Sequence, residues 1–361
     1  MYELAAKLSP DDIFNLSRFA FVELAMSGVT AVGEFHYLHH QPDGTPYHDR
    51  LELADAVINA AREAGLRITL IRTAYLRGGS GKDLKPVQKR FSDACVEDVL
   101  KDVDDLTTQF RNDDFVKVAL AAHSIRAVPL QQIKILANFA NDKNLPFHIH
   151  VCEQIQEVKE CTAEYGLPPV ALLEKNGLLN KRFVGIHATH LTKAEIAALG
   201  KAKAQVCICR TTERDLGDGL PQTKDLLHAG VKICVGVDSH ACSDAFEEIR
   251  AIELDERSRL QKRIVAAEAP QLLTMATKNS YDAIGFADAW TMSKVYLNMY
   301  DPSLAESGDA TLTDAVVFGA TPRAVTQVVV EGKTIVANGL HSNYQEAYQG
   351  YAKSLKNLGL M

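Results

Sequence analysis

A parallel α/β barrel of the (β/α)8 TIM type, one strand short, is the fold class this sequence predicts, and three observations predict it. Helical and strand-like runs alternate from residue 9 to about residue 240, which calls for a parallel sheet with helical crossovers. Almost every strand-like run closes in His, Arg, Asp or Glu, as expected when one site is built on the C-terminal face of a barrel. A doubly wound sheet is the alternative, but it concentrates its chemistry at a single switch point rather than at successive strand ends. The count is the third observation: seven βα units are found, and the chain opens inside the helix that should follow an eighth strand.

The elements follow in order. Ser9-Pro10-Asp11-Asp12 is an N-cap with proline in the first turn, and Ile13, Leu16, Ala20 and Leu24 recur at helical spacing, so a helix is expected over 9–27 with Gly28 ending it. A β-rich run over 29–35 leads into His36-Tyr37-Leu38-His39-His40 and the turn-prone Pro42-Asp43-Gly44. Helices are then expected over 51–64, 93–110, 129–142, 168–176, 192–200 and 221–229. They alternate with strands over 67–75, 115–122, 146–151, 183–186, 205–209 and 232–237. After a helical stretch over 245–284 the texture changes. Short apolar runs over 312–318, 325–331 and 334–337, broken by Gly319, Pro322, Gly332 and Gly339, read as a small β appendage, and 344–357 reads as a closing helix. The expected division is a barrel over 1–294 and an appendage with a C-terminal helix over 295–361.

Composition narrows the function. A formal net charge of −7 across 361 residues, with no basic stretch to offset it, argues against nucleic acid or an anionic membrane as partner and for a small molecule. No apolar run approaches the ~20 residues of a membrane span, and Met1-Tyr2-Glu3-Leu4 lacks the basic and apolar regions of a signal peptide, so a cytoplasmic location is expected. The seven cysteines are scattered without CxxC spacing. Cys207-Ile208-Cys209 suggests a soft-metal pair, but its alternation within a buried strand favours packing.

Phe147-His148-Ile149-His150-Val151-Cys152-Glu153 carries the densest chemistry. Alternation places His148 and His150 on one side of a strand, with Glu153 where the strand gives way to a loop. Together with His187 and Asp238 at later strand ends, His150 and Glu153 give imidazoles and carboxylates suited to a borderline divalent ion such as zinc, and a proton carrier beside it. Core histidines bonded to backbone are the alternative for each residue taken singly, and four at successive strand ends weigh against that.

The strings Gly33-Glu34-Phe35-His36-Tyr37-Leu38-His39-His40, His123-Ser124-Ile125-Arg126, His148-Ile149-His150 with Glu153, His187-Ala188-Thr189-His190, Thr211-Thr212-Glu213 with Leu216-Gly217-Asp218-Gly219, and Asp238-Ser239-His240 resemble the formimidoylglutamate deiminases of the amidohydrolase superfamily, in order over 9–341. The resemblance implies one zinc ion ligated by His150 and Asp238, with His148 as support behind. It implies Glu153 as proton shuttle, His187 as the group that polarises the attacking water, and Asp238 as an acceptor of its proton. Tyr37, His123 and Arg126 would bind substrate, and a homodimer is implied. The activity implied is hydrolytic deamination of N-formimino-L-glutamate to N-formyl-L-glutamate and ammonia, in histidine breakdown.

Departures from that pattern are equally specific. Members of the family begin with half of a β-sandwich and a first barrel strand ending in His-x-His, and neither precedes residue 9 here; either the start lies downstream of the true one or the product is shortened. The proline expected after Cys209 is Arg210, and the asparagine expected before Leu216 is Asp215. Two further readings follow: an impaired amidohydrolase-like binding protein without a competent metal, and a deaminase acting on another imine, amidine or cyclic amide. His36, His39 and His40 are the nearest alternative imidazoles for the missing ligands.

Overall fold

The computed structural model describes residues 2–240 and 242–361. Seven parallel strands hydrogen-bond in sequence order: β1 (Ala31–His36), β2 (Arg67–Ala74), β3 (Val116–Ser124), β4 (Phe147–Val151), β5 (Phe183–His187), β6 (Gln205–Ile208) and β7 (Lys232–Val235). Each strand is joined to the next through helix, so the expected α/β barrel is found. The expected gap is found as well, because among the described residues no strand pairs with the outer edge of β1 or of β7. Every residue of β2 is buried, as in a parallel strand covered on both faces.

Local sequence explains the crossovers. Ser9 and Asp12 form a reciprocal capping box at the start of helix Pro10–Met26, Thr192 and Glu195 do the same for Lys193–Ala202, and the Asp244 carboxylate accepts from the backbone of residues 246 and 247 to start Ala245–Leu260. The helices bury Phe21, Val22, Ala54, Val57 and Ile58 between themselves and the sheet, in one continuous core. A smaller apolar cluster fills the inside of the barrel, made of Val184, Ile186, Cys209, Cys234 and Ala283 with Phe35 and Cys207 against it.

The seam between β7 and β1 is occupied by residues 279–284. Lys232 and Gly236 donate their N–H groups toward β6, so alternation turns the backbone groups of Ile233 and Val235 to the seam. There Asn279 Nδ2 donates to the Ile233 carbonyl at 2.9 Å, and Val235 N–H donates to Ser280 Oγ at 3.3 Å. Both partners lie at the end of a π-helical turn, Met275–Asn279, and the helix Ser280–Ala283 that follows it. On the other side Tyr281 Oη lies 2.8 Å from Thr30 Oγ1, and Ile284 packs so closely on β1 that a Cβ at Gly33 would stand 2.7 Å from its Cγ2. Side chains therefore satisfy the Ile233 carbonyl and the Val235 N–H of the β7 edge, while among the described residues Ala31, Gly33 and Phe35 keep their seam-facing backbone groups without a strand partner.

The appendage is a four-stranded antiparallel sheet in the order β11 (Leu340–His341), β10 (Lys333–Ala337), β9 (Val325–Val330), β8 (Ser293–Leu297). It begins at Ser293, ahead of the expected division after residue 294. The strand expected over 312–318 is instead the helix Leu312–Phe318, which lies against Ala245–Leu260 and Ala269–Thr274. Arg250 fixes its C-terminal end by donating to the Phe318 carbonyl at 3.0 Å and to that of Ala320. The sheet is tied to the barrel by the ion pair of the buried Arg67 with Glu331 and by Gly65, whose φ of +69° and close approach to Ile335 leave no room for a side chain. The closing helix Tyr344–Asn357 stacks Tyr351 on Phe19 at 4.6 Å. Among the described residues no helix is long and apolar enough to cross a membrane.

Candidate active site

Parallel strands deliver their C-terminal tips to one mouth, and β4, β5 and β7 carry the candidate residues there. His150 donates from Nδ1 to the His123 carbonyl at 2.7 Å, which fixes its tautomer and leaves Nε2 with a free lone pair. Burial, then the neighbouring His123 and His187, hold its pKa well below the usual range, so the ring is neutral. His187 lies 5.7 Å from His150, ring centre to ring centre. Its Nδ1 donates to Glu213 Oε1 at 3.2 Å, and its Nε2 faces Asp238 Oδ2 at 3.6 Å and Glu153 Oε1 at 3.8 Å. Burial alone would lower the His187 pKa, but the Glu213 hydrogen bond and the charges of Glu153, Glu213 and Asp238 outweigh it and raise the pKa to about 9.

Backbone strain collects at the same place. Cys152, His187, Ala188 and Asp238 all have φ between +51° and +70°, a left-handed conformation that costs on the order of 1 kcal/mol for a residue with a Cβ. It turns each chain sharply off its strand and lets consecutive residues face the mouth. Asp238 is held from the β6 side, where Thr212 Oγ1 donates to the Val237 carbonyl at 2.9 Å and accepts from Ser239 N–H at 3.0 Å.

The predicted substrate-binding residues line the β1 and β3 side. Tyr37 packs edge-on against His123 at 5.3 Å, and His123 lies 5.0 Å from His150. Burial pushes the Tyr37 hydroxyl up to about 12 and, with help from Arg126, pushes His123 down to about 3, so both are neutral. Arg126 is half-buried, and its guanidinium makes no hydrogen bond or ion pair among the described residues, although its charge is felt at His123, His150 and Glu153. It is a cation without a protein partner at the edge of the mouth.

All of the predicted residues therefore gather at one mouth. His148 lies beneath His150, edge-on to Phe35 at 5.8 Å. His39 does not reach the Asp238 cluster with Nε2, which accepts from Arg72 at 2.6 Å, and His36 packs on the His39 ring at 5.1 Å. Arg72 itself is anchored by Asp102 at 2.8 Å and by Asp93, so this network braces the segment that carries Tyr37.

Glu213 and Glu157 take no role from the sequence alone, and Cys209 is read there as strand packing. Glu213 orients His187 and is itself clamped by Arg210 and by the Cys209 N–H. Glu157, in the first turn of helix Ile155–Tyr165, accepts from the Glu153 N–H at 3.1 Å and so sets the turn that presents Glu153. Cys209 brings its sulfur into the cluster: ligand atoms of His187, Cys209 and Asp238 lie within 4.8 Å of one another, a group that does not include His150. The signal for Glu213 and Cys209 was their position at the tip of β6. Glu157 gave none, since an acidic residue in a first helical turn is ordinary.

Comparison with known proteins agrees with this geometry. A family model described as the amidohydrolase family matches residues 1–335. A formimidoylglutamate deiminase from Pseudomonas aeruginosa is 32% identical over an alignment covering 99% of this chain and 81% of that protein. A 5′-deoxyadenosine deaminase from Methanoregula boonei is 26% identical, covering 93% and 72%. Among solved structures, an amidohydrolase from Brucella melitensis superposes with a TM-score of 0.92 at 30% identity, covering 99% of this chain and 81% of that one. An adenosine deaminase from Xanthomonas campestris with bound zinc has the same fold, with a TM-score of 0.84 at 21% identity over 99% and 77% of the two chains. Fold, strand-tip chemistry and these matches over nearly the whole chain agree: the chain belongs to the amidohydrolase family.

Proposed function

We propose that this chain catalyses hydrolytic deamination of N-formimino-L-glutamate to N-formyl-L-glutamate and ammonia. The observation that carries the proposal is the meeting of two sets of groups at one mouth: a hydrolytic set, His150, Glu153, His187 and Asp238, and beside it an unpartnered Arg126 with Tyr37 and His123. The substrate has two carboxylates, and a free guanidinium has the planar fork that binds one of them in two-point fashion.

The donor chemistry fits a divalent ion such as zinc. His150 offers a neutral imidazole whose Nε2 is free because Nδ1 is committed to a carbonyl, and Asp238 offers a carboxylate on a segment held in place by Thr212. When bound, such an ion supplies the Lewis acidity that makes water acidic enough to attack at neutral pH. The residues of the chain do the rest. Arg126 and His123 hold the glutamate portion so that the formimino carbon faces His187 and Glu153. His187, kept cationic by Glu213, donates from Nε2 to the developing negative oxygen. Glu153, whose pKa burial raises, takes the proton of the attacking water and returns it to the departing nitrogen. One water is consumed, the carbon–nitrogen bond to the terminal imine nitrogen breaks, and ammonia leaves.

A second reading, a deaminase for another imine, amidine or cyclic amide, is favoured by Arg210, which is buried and paired with Glu213 and Asp255 beside the mouth. One experiment separates the two. Ammonia release is measured from formiminoglutamate and from a panel of such compounds, with zinc added. Formiminoglutamate should be the best substrate and N-formylglutamate the product; another compound turned over faster, or no turnover by metal-loaded chain, would overturn the proposal.

A further inference from the structure

We infer that Cys209, His187 and Asp238, with Cys207 directly behind them, form a second cation site that takes a thiophilic ion such as Cd2+, Cu+ or Zn2+, distinct from the His150–Asp238 position and sharing Asp238 with it.

The geometry assigns it. One thiol, one imidazole nitrogen and one carboxylate oxygen converge within 4.8 Å, and the imidazole–carboxylate separation is 3.6 Å. Bonds of about 2.0–2.3 Å around a tetrahedral centre place donor atoms about 3.3–3.8 Å apart. The fourth corner is within reach, because Cys207 Sγ lies 4.0 Å from Cys209 Sγ. The sheet also makes room for the sulfurs. Residues 205, 207 and 209 alternate into the barrel, and Gly236 faces the pair from beyond the end of β7: a Cβ there would stand 3.1 Å from both sulfur atoms.

Buried cysteine is by default a small apolar filler. Here the filler reading leaves unexplained why a sulfur within an apolar cluster should also face an imidazole nitrogen and a carboxylate. Thiolate ligands shift selectivity toward soft, d10 ions, whereas the His150–Asp238 pair offers only nitrogen and oxygen. Because the site draws on His187 and Asp238, an ion seated there withdraws both from hydrolysis. A thiophilic ion should therefore act as an inhibitor that substrate does not simply displace. The inference shares two residues with the proposed function, but its readout requires no turnover.

The test uses the full chain with its two exposed cysteines removed, Cys95→Ser and Cys242→Ser, so that no exposed thiol contributes a thiolate signal. Metal-free protein is titrated with Cd2+ and, as a coloured probe, Co2+. One equivalent should produce thiolate-to-metal charge-transfer absorption. Cys209→Ser should remove the band and weaken Cd2+ binding at least tenfold, while His150→Ala should keep it. X-ray absorption on the Cd2+-loaded chain with every buried cysteine intact should show sulfur bonded to the metal, and this holds whether or not the Cys209 variant folds. Binding through nitrogen and oxygen alone, a band that survives Cys209→Ser, or a band lost in His150→Ala would overturn the inference. Absence of deamination alongside an intact band would count against the proposed function and leave this site standing.

Discussion

Replacing Glu157 with Gln should make the protein more stable above neutral pH and leave it nearly unchanged in acid. Glu157 is 5% exposed, and one carboxylate oxygen, Oε1, is buried without a partner while Oε2 accepts from the Glu153 N–H. Burial raises its pKa from 4.5 to about 7, against an opposing pull from Arg126 and backbone N–H groups. A carboxyl whose folded pKa lies above its unfolded value holds a proton in the native state that the unfolded chain has already lost. Stability therefore falls as pH rises from about 4.5 to about 7, and is flat above that window. At about 1.4 kcal/mol per pH unit the interval amounts to about 3 kcal/mol. Glutamine keeps an acceptor for the Glu153 N–H and carries no charge, so the variant escapes this loss. Urea unfolding of both proteins at pH 4.5, 6 and 8 should show a stability difference near zero at the lowest pH, growing to about 3 kcal/mol in favour of Gln at the highest. A difference independent of pH, or one that grows in acid, would mean that native Glu157 is ionised and would refute the reasoning.

Other perturbations separate the roles assigned to the mouth. Glu213→Gln removes the anion that orients and charges His187, and should lower kcat by about 10- to 100-fold with little change in KM, measured by ammonia release. Arg126→Lys keeps the charge but loses the planar fork; KM for formiminoglutamate should rise about tenfold while kcat changes little, and an unchanged KM would remove Arg126 from the substrate site. Ser280→Ala strips the partner from the Val235 N–H and Asn279→Ala strips it from the Ile233 carbonyl, so each should cost about 1–2 kcal/mol in urea unfolding, with equal costs at all pH values.

What the sequence made legible follows from where the chemistry sits. A parallel strand buried on both faces reads as an apolar run, and its tip reads as the first polar residues after that run. His150, His187 and Asp238 were therefore visible one strand at a time, and so was the missing pairing between β7 and β1. The appendage was less readable. Ala315-Val316-Val317-Phe318 is an apolar run of four before a glycine, which fits a short strand as well as the last turn of a helix, and periodicity cannot decide at that length. The strand Ser293–Leu297 was missed because it is an edge strand whose central residues are exposed, so it shows little apolar pattern. Glu157 and the seam residues Asn279 and Ser280 were hidden for a different reason. Their roles depend on which backbone group lies opposite them, and no spacing in the sequence reports that.

The open seam and the candidate site share β7, and the structure shows why the one need not undo the other. Asp238 lies three residues beyond Val235, the last residue of an edge strand, where fraying would be expected. It is instead held from two sides. Toward the seam, Asn279 and Ser280 give the strand two of the partners that a neighbouring strand would give. Toward β6, Thr212 bonds the residues on either side of Asp238, and β6 in turn is paired along its length with β5. The carboxylate is thus placed relative to His187 by contacts with β6 and by the seam residues Asn279 and Ser280. The β1 edge is different: among the described residues the backbone groups of Ala31, Gly33 and Phe35 have no such substitute, and Tyr37 follows directly on that strand. The position of Tyr37 rests on the Arg72–His39 bond and on packing against His123 and Phe91. Loss of order along the β1 edge should accordingly affect substrate binding through Tyr37 before it disturbs the His187–Asp238 pair.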